Sequence, residues 1–191
     1  MIRIEALSEA LLPALRTLFD ASSSTCFCRY WHFTGTKNDW LDRCANRPDE
    51  NAAELEHDVR AGAVAAQGLV ALAGGAAVGW MKLTPRDAVP KLRALPVYRS
   101  LDLGDGATTF SIGCFLVHPD HRRTGVAQAL IGASDTFARL WGARAIEAYP
   151  RRSSEPLHAE EAWQGPEQLF LAAGFLPVVD VGPYPVYRKI L

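Results

Sequence analysis

The first third of the chain changes from an alternating pattern of apolar and polar residues to a helical one. Residues 2–7 alternate, which predicts a short strand. Ser8 can cap the helix that follows, and Pro13 can shift the start of this helix. The apolar positions of this helix recur at helical spacing and are Leu11, Leu12, Leu15, Leu18 and Phe19. A second helix is predicted to begin near Pro48 and to end at Gly62.

Two short apolar runs flank the dipeptide Gly74-Gly75. These runs, 68–72 and 76–83, predict a β-hairpin, because adjacent glycines readily adopt the positive φ angles of a tight turn. The stretch 84–107 is rich in Pro, Asp, Arg and Gly and predicts a long loop with one helical turn near residues 91–95. A connection of this length in a compact domain is often functional.

A strand, a helix and a second strand are predicted between residues 109 and 149. The strand 109–117 is mostly apolar, and Gly113 within it indicates a bulge or the close approach of another group to the backbone. The helix ends at Gly142, and 143–149 is the second strand. The helix has one regularly spaced face, formed by Val126, Leu130, Ile131, Ser134, Phe137, Ala138 and Trp141. This unit predicts parallel pairing of the two strands with a right-handed crossover.

The remaining residues complete the pattern of a mixed α/β fold. A polar loop spans 150–164, a short helix is predicted at 166–174, and two last strands are predicted at 175–181 and 185–191. The sequence has no internal repeat, coiled-coil heptad or low-complexity tract. It therefore predicts a single domain over residues 1–191, with a mixed central sheet of about seven strands flanked by about four helices.

Composition and charge exclude several classes of protein. Hydrophobic residues make up 49% and charged residues 21% of the chain, which is ordinary for a globular domain. The net charge of −1 gives no overall attraction to nucleic acid or to an anionic membrane, so we expect neither as a partner. The sequence lacks both a membrane-spanning apolar run and the pattern of a signal peptide, which favours the cytoplasm. Any anion site must therefore be local.

Cysteines occur at positions 26, 28, 44 and 114. Because nothing indicates secretion, we expect reduced thiols and no disulfide framework. Cys26, Cys28, His32 and Cys44 have the residue types of a zinc site, but Cys-x-Cys followed by one distant cysteine matches no standard zinc-binding spacing. We therefore predict no metal site, and a zinc- or redox-responsive protein is the weaker alternative.

The segment 117–127 places basic, glycine and small residues at a predicted helix start. Unpaired backbone N–H groups and the positive end of the helix dipole attract anions there. Gly125 and Ala127 allow a phosphate to approach the backbone closely, and Arg122 and Arg123 can add charge-assisted hydrogen bonds. The segment predicts a diphosphate site. The alternative is a solvated basic loop that happens to precede a helix.

These residues resemble a signature of the GNAT family of acyl-CoA-dependent N-acyltransferases. The signature reads Arg or Gln, two residues, Gly, one residue, then Gly or Ala, and it is met by Arg122, Gly125 and Ala127. Residues 169–175, Leu-Phe-Leu-Ala-Ala-Gly-Phe, are similar to the second signature of the family. The resemblance implies a sheet that splays beside the strand 109–117 and admits acetyl-CoA. The residues that it assigns to this donor are Phe115, Leu116, Val117, Arg122, Arg123, Thr124, Gly125, Val126, Ala127 and Gln128.

Acetyl transfer to an amine requires a group that takes the proton of the amine. Glu147 stands alone in an apolar strand near the expected splay and is the first candidate for this base, with Tyr149 beside it. The alternatives are a solvent-facing Glu147 paired with Arg144 or with a basic residue of a helix, and a Tyr149 that anchors the strand end. A bulge at Gly113 would free a backbone N–H for the thioester oxygen, unless this glycine only relieves crowding. Cys114 could act as a nucleophile, although a core thiol is the better interpretation.

Two positions depart from the family pattern. Phe170 stands where the family often has a tyrosine that protonates the leaving thiolate, and Trp163 stands where it often has an asparagine. Phenylalanine cannot donate a proton, so another group must do so or the thiolate leaves unassisted. A non-catalytic module that binds acyl-CoA is therefore the alternative to an enzyme.

An aromatic-rich segment between the first helices is the predicted acceptor site. Tyr30, Trp31 and His32, with Trp40 nearby, are the residues assigned to it, and a small accessory core is the alternative. The chain resembles bacterial family members with an N-terminal Cys-x-Cys and Trp-His segment. Together these features predict an enzyme that transfers an acetyl group from acetyl-CoA to a primary amine of a small molecule or peptide. The sequence does not identify the amine. A homodimer is compatible with the sequence.

Overall fold

The computed structural model describes residues 1–153, 155, 158 and 162–191. Its seven strands form one sheet in the order β1-β2-β3-β4-β5-β7-β6, which confirms the predicted mixed sheet. Within the described residues β4 and β5 pair in parallel, and the other neighbouring strands are antiparallel. The strands are β1 (Arg3–Ala6), β2 (Gly68–Ala73), β3 (Ala76–Pro85), β4 (Thr109–Val117), β5 (Ala145–Ala148), β6 (Leu176–Val179) and β7 (Val186–Ile190).

Six α-helices accompany the sheet in the described part of the chain. They are α1 (Leu12–Ala21), α2 (Lys37–Asn46), α3 (Pro48–Arg60), α4 (Pro90–Ala94), α5 (Val126–Leu140) and α6 (Glu167–Ala172). The helix α4 is the helical turn predicted within the long loop, whereas α2 was not predicted. Its start is closed by a capping box, in which Thr36 accepts from the Asp39 N–H and Asp39 accepts from the Thr36 N–H.

The start of α1 differs from the prediction. Ser8 makes no side-chain capping bond, and a 3-10 turn at Glu9–Leu11 precedes the helix. The α-helix then begins at Leu12, with Pro13 in its first turn. Proline is favourable there because the first N–H groups of a helix have no partner within it. No helix of the described residues is both long enough and apolar enough to cross a membrane.

Apolar side chains pack on both faces of the sheet. On one face α5 packs so closely on β3 that a Cβ atom at Gly79 would come within 2.4 Å of Val126 Cγ1. On the other face Leu18 and Phe19 of α1 share a buried cluster with Trp80 of β3. A third cluster joins the long loop after β3 to the segment before α2. The sheet therefore separates the α5 side of the molecule from the side that carries the N-terminal helices.

Candidate active site

The sheet opens between β4 and β5. The two strands pair only as far as Ile112 and Ala148, whereas β4 continues along β3 to Val117. Soon after Ala148 the chain reaches Pro150, which has no backbone N–H to extend the pairing. The edge of β4 beyond Ile112 is therefore separate from β5, as the splay implied by the family resemblance requires.

Gly113 lies in a bulge at the start of this opening. The pairing of β3 with β4 shifts between Lys82 and Leu83, and Gly113 is left without a partner in the register. The Gly113 carbonyl accepts a hydrogen bond from Trp31 Nε1 at 2.9 Å. A Cβ atom at Gly113 would also lie 2.9 Å from this nitrogen. The predicted bulge is confirmed, and relief of crowding is a second reason for the glycine.

The loop before α5 turns through two residues in the left-handed region. Arg123 has a φ angle of 61° and Gly125, the N-cap of α5, has one of 87°. Thr124 Oγ1 donates a hydrogen bond of 2.7 Å to the preceding turn, which holds this conformation. The Ala129 N–H donates to the Gly125 carbonyl at 2.9 Å, as the helix begins. The backbone N–H groups of residues 126–128 therefore have no partner within the helix.

A cavity of about 180 Å³ lies beside this loop. Five of the residues predicted for the donor line it, namely Phe115, Leu116, Val117, Arg122 and Ala127. Arg123, Thr124, Gly125 and Gln128 are exposed, whereas Val126 is buried. The structure thus brings the end of β4 and the start of α5 together at one end of the opening.

The edge of β4 beyond Ile112, here called the released edge, already has one hydrogen-bond partner. The Phe115 N–H donates to the Trp163 carbonyl at 2.6 Å. The family resemblance implies that the pantetheine arm of the donor pairs with this part of β4 in the manner of an added strand. A donor bound in that way must replace the Trp163 carbonyl or pair with the neighbouring positions.

A larger cavity of about 400 Å³ adjoins the first and shares Phe115, Leu116 and Arg122 with it. Aromatic rings form one wall, and the centroids of rings in contact lie between 5.5 and 6.4 Å apart. These rings belong to Tyr30, Trp31, Trp40 and Trp163. Two of the three residues predicted to contact the acceptor therefore lie at this cavity.

His32, the third of these residues, is not among the residues that line the cavity. Burial, followed by the charges of Lys82 and Arg29, lowers the pKa of His32 to about 3, so its imidazole is neutral at pH 7. Its Nε2 atom has no hydrogen-bond partner among the described residues. This position favours packing behind the aromatic wall over contact with an acceptor.

Three thiols form another part of the wall of the larger cavity. Cys26, Cys28 and Cys114 line it as free thiols, and Trp80 Nε1 donates to Cys28 Sγ at 3.3 Å. Burial raises the pKa of Cys28, and a hydrogen bond with Cys28, followed by burial, raises the pKa of Cys26, so both thiols are neutral at pH 7. Within the described residues no group of three or more His, Cys, Asp or Glu side chains could hold a metal ion. The zinc alternative therefore has no support there.

Glu147, the predicted base, is fully buried and lines neither cavity. Its carboxylate accepts hydrogen bonds from Arg86 Nη1 at 3.0 Å and from Arg188 Nε at 2.9 Å. The Tyr149 hydroxyl donates to it at 2.6 Å. These arginines come from the segment after β3 and from β7. The alternative of a solvent-facing glutamate paired with Arg144 or with a basic residue of a helix is therefore wrong. The contacts favour a structural role for Glu147 over proton transfer.

Tyr149 belongs to the same buried network. Its hydroxyl lies 3.1 Å from Ser111 Oγ, and its ring packs against Tyr98 with centroids 5.4 Å apart. Burial, and then the charge of Glu147, raises the pKa of Tyr149 well above its ordinary value. The hydroxyl is therefore a poor acid, and the geometry favours the alternative in which Tyr149 anchors the end of β5.

Neither cavity presents a carboxylate or an imidazole among its described lining residues. Phe170 does not line them either, since it is fully buried against Phe115 and Phe175 with ring centroids 6.0 and 5.5 Å away. The described lining thus provides no obvious base for the acceptor, and Tyr30 is its one tyrosine, since the position of the family tyrosine is occupied by the buried Phe170.

The run Ser22–Ser24 lines the larger cavity and was not predicted. It follows the last turn of α1, where Ser23 has a φ angle of 51°. Ser22 Oγ is buried and has no hydrogen-bond partner among the described residues. Consecutive serines directly after an amphipathic helix were the signal in the sequence that could have indicated this position.

The polar loop after β5 is tied down at Arg152, which pairs with Glu167 of α6 at 2.7 Å and with Asp180 at 2.9 Å. Residues 154, 156, 157 and 159–161 of this loop lie outside the described residues. From the sequence, this polar loop can either close over the site or be a solvated connection, and both interpretations stay open.

A family model described as "Acetyltransferase (GNAT) family" matches residues 28–161, which is more than half of the chain. The chain therefore belongs to the GNAT acetyltransferase family, a family of acyltransferase enzymes. The match begins at Cys28, so it includes Tyr30, Trp31 and Trp40 of the aromatic wall, the opened edge of β4 and the loop before α5. A search of curated proteins gives no match.

Solved structures share the fold over the whole chain. PaiA N-acetyltransferase from Thermoplasma acidophilum in complex with coenzyme A is 12% identical, with a TM-score of 0.57, and the alignment covers 100% of this chain and 99% of that one. YncA from Salmonella typhimurium with acetyl-CoA is 18% identical, with a TM-score of 0.55 and coverage of 100% and 94%. Ribosomal-protein-alanine N-acetyltransferase from Brucella melitensis is also 18% identical, with a TM-score of 0.55 and coverage of 99% for both chains. At these identities the comparisons establish the fold and leave the acceptor open.

Proposed function

We propose that this protein transfers an acetyl group from acetyl-CoA to an amine of a small molecule or peptide. The observation that carries the proposal is the junction of the two cavities. They share Phe115, Leu116 and Arg122, so they meet along the released edge of β4. A donor whose diphosphate lies at residues 122–128 would extend its acyl end along this edge into the larger cavity.

The start of α5 has the features that a diphosphate requires. A Cβ atom built at Gly125 meets no atom within 4 Å, so the space in front of the loop is open. The free N–H groups of residues 126–128 and the exposed guanidinium of Arg122 are donors that suit phosphate oxygens. The complexes of PaiA and YncA with coenzyme A and acetyl-CoA support the same donor for this chain. When bound, the donor supplies an activated thioester, and the chain positions it.

We also infer that the segment 26–32, with its Cys-x-Cys and Trp-His pairs, identifies a bacterial subgroup of the family. Cys26, Cys28 and Trp31 all line the larger cavity, which supports a role of this segment in the choice of acceptor. A cytoplasmic location and a homodimer stay predictions from the sequence.

The proposal is tested by incubating the protein with acetyl-CoA and a panel of amines. Amide products are identified by mass spectrometry and donor consumption is followed by the loss of thioester absorbance, which the thiols of the protein do not disturb. We expect one amide formed for each thioester consumed. Tight binding of coenzyme A without turnover of any amine would favour the non-catalytic module, and absence of binding would reject the donor site.

A further inference from the structure

The larger cavity is walled mainly by aromatic rings, thiols and serines. The four aromatic side chains Tyr30, Trp31, Trp40 and Trp163 form one side. The thiols of Cys26, Cys28 and Cys114 and the serine run 22–24 form most of the rest. Aromatic rings pair favourably in stacked and edge-to-face arrangements, so a wall of this kind selects a flat, apolar ligand.

Aromatic walls can also bind cations, but the charges around this cavity oppose that use. The ammonium of Lys91 already lies 4.4 Å from the centroid of the Tyr30 ring and donates to the Phe33 carbonyl at 3.2 Å. Arg122 lines the cavity, and the buried Lys82 lies behind Gly113, where an added Cβ would be 3.5 Å from Lys82 Cδ. No described residue of the lining carries a negative charge. A protonated alkylamine would therefore enter a cavity with positive charges around it and no carboxylate to pair with.

The described lining of the cavity has no carboxylate or imidazole, so it has no group that could readily take a proton from the acceptor. An alkylamine is mostly protonated at pH 7 and needs a base before it can attack a thioester. An amine nitrogen bonded directly to an aromatic ring shares its lone pair with the ring, so it is neutral at pH 7 without help.

We infer that the acceptor is a neutral aromatic amine, whose ring packs against the half-buried Tyr30 and Trp163, with Trp31 and Trp40 buried behind them, and whose nitrogen attacks without a dedicated base. This inference rests on the proposed transferase function and narrows its substrate class. It explains why an enzyme of this family can have thiols and serines where a carboxylate or an imidazole would otherwise be expected.

The transfer balances without a further reactant. The nitrogen lone pair forms a C–N bond to the thioester carbonyl carbon, and the carbonyl π electrons move to oxygen. The C=O bond then re-forms as the C–S bond breaks, and the electron pair of that bond leaves on sulfur. The proton lost by nitrogen passes through water to sulfur. The products are the N-aryl acetamide and the free thiol of coenzyme A, with no change of oxidation state.

The inference is tested with two isomeric amines, para-toluidine and benzylamine. Both have the same atoms, but the nitrogen is bonded to the ring only in para-toluidine. We expect kcat/KM for para-toluidine at pH 7 to exceed that for benzylamine by about tenfold or more, and to stay flat between about pH 6.5 and about pH 7.5. A higher kcat/KM for benzylamine would overturn the aromatic-amine inference and leave the transferase function standing.

A pair of variants tests the aromatic wall. Tyr30→Leu removes a ring that lines the cavity, whereas Phe33→Leu removes a neighbouring ring that packs on Trp40 and does not line it. We expect Tyr30→Leu to lower kcat/KM for para-toluidine about tenfold and Phe33→Leu to leave it nearly unchanged. Both variants are first checked for an intact melting transition and for coenzyme A binding by calorimetry.

The remaining outcomes show whether the aromatic-amine inference or the proposed transferase function is wrong. Turnover of neither isomer by a protein that binds coenzyme A would overturn the aromatic-amine inference. Equal loss of kcat/KM in Tyr30→Leu and Phe33→Leu would overturn the role of the wall. Absence of coenzyme A binding by the wild-type protein would instead reject the proposed function itself.

Discussion

At the scale of single residues, Lys82 is an unusual feature of the site. It is fully buried in β3 behind Gly113, and its Nζ donates to the Ala65 carbonyl at 2.5 Å. Burial lowers its pKa from 10.5 to about 8, although the neighbouring Cys28 and Cys114 act in the opposite direction. Below pH 8 the lysine is an ammonium in both the folded and the unfolded chain, and its burial destabilises the folded state.

Lys82→Met should therefore raise the free energy of unfolding at pH 7 by about 2 kcal/mol, the cost of the burial less one lost hydrogen bond. Between pH 8 and 10.5 the folded protein releases the proton before the unfolded chain does, so the cost in the wild type falls as the pH rises. The advantage of the variant should then shrink toward pH 10. Urea unfolding under reducing conditions at both pH values measures it.

The matched control is Lys37→Met, which changes an exposed lysine at the start of α2. We expect this variant to be nearly neutral for stability. A Lys82→Met variant without a gain at pH 7, or with a gain that is the same at pH 7 and at about pH 10, would contradict the burial argument.

The role of a residue that is set by its local backbone conformation was predictable from the sequence. Gly113 indicated a bulge because glycine is unfavourable within an ordinary strand. Glu147 was predicted to be the base, because the sequence does not reveal its partners Arg86 and Arg188, which are 61 and 41 residues away in the chain. Periodicity carries no information on pairing across such distances.

At the scale of elements, Glu147 joins three parts of the fold. Its own strand β5 pairs with β7, where Arg188 lies directly opposite Glu147 in the register. Arg86 reaches it from the turn after β3 and also donates to the Leu103 carbonyl at 3.0 Å. The carboxylate therefore fixes the long loop against the sheet on the side where the sheet opens.

Glu147→Gln should lower the free energy of unfolding by about 3 kcal/mol or more, because it leaves buried guanidinium charge without its partner. Chemical denaturation of the variant beside Glu5→Gln, a glutamate of β1 that pairs with Arg3 at the surface, measures the difference. The surface change should be nearly neutral. A Glu147→Gln variant of unchanged stability that binds coenzyme A but has lost kcat would restore the role of general base predicted from the sequence.

Elements with a clear apolar pattern or with glycine and proline at their ends were readable from the sequence, and α2 was not. The helix α5 and the hairpin of β2 and β3 have strong periodicity with glycine at their ends, and their bounds agree with the prediction to within a few residues. The helix α2 was missed because Trp40 is its one buried residue, so its apolar face is weak. Its available signal was Thr36 followed three residues later by Asp39, the pattern of a capping box.

At the scale of the whole molecule, the site exists only where distant segments meet. The larger cavity combines the end of α1, the segment before α2, the edge of β4 and Trp163 before α6. The family signatures assigned the end of β4 and the loop 122–128 to the donor, and the structure brings residues of both to one cavity. They carried no information on the aromatic wall, because this wall depends on how the N-terminal segment packs over the opened sheet.

The diphosphate site proposed at the start of α5 is the claim on which the donor and the acceptor proposals both depend. Calorimetric titration of coenzyme A into three proteins tests it directly: the wild type, Gly125→Glu and Gly142→Glu. The two glycines lie at opposite ends of α5, both have a φ angle close to 90°, and neither has an atom within 4 Å of its built Cβ, so the two variants carry the same backbone strain. We predict micromolar binding by the wild type and by Gly142→Glu, and its loss in Gly125→Glu, where a carboxylate meets the phosphates. Binding by Gly125→Glu at wild-type strength, or no heat and no rise in melting temperature with the wild type, would contradict the account.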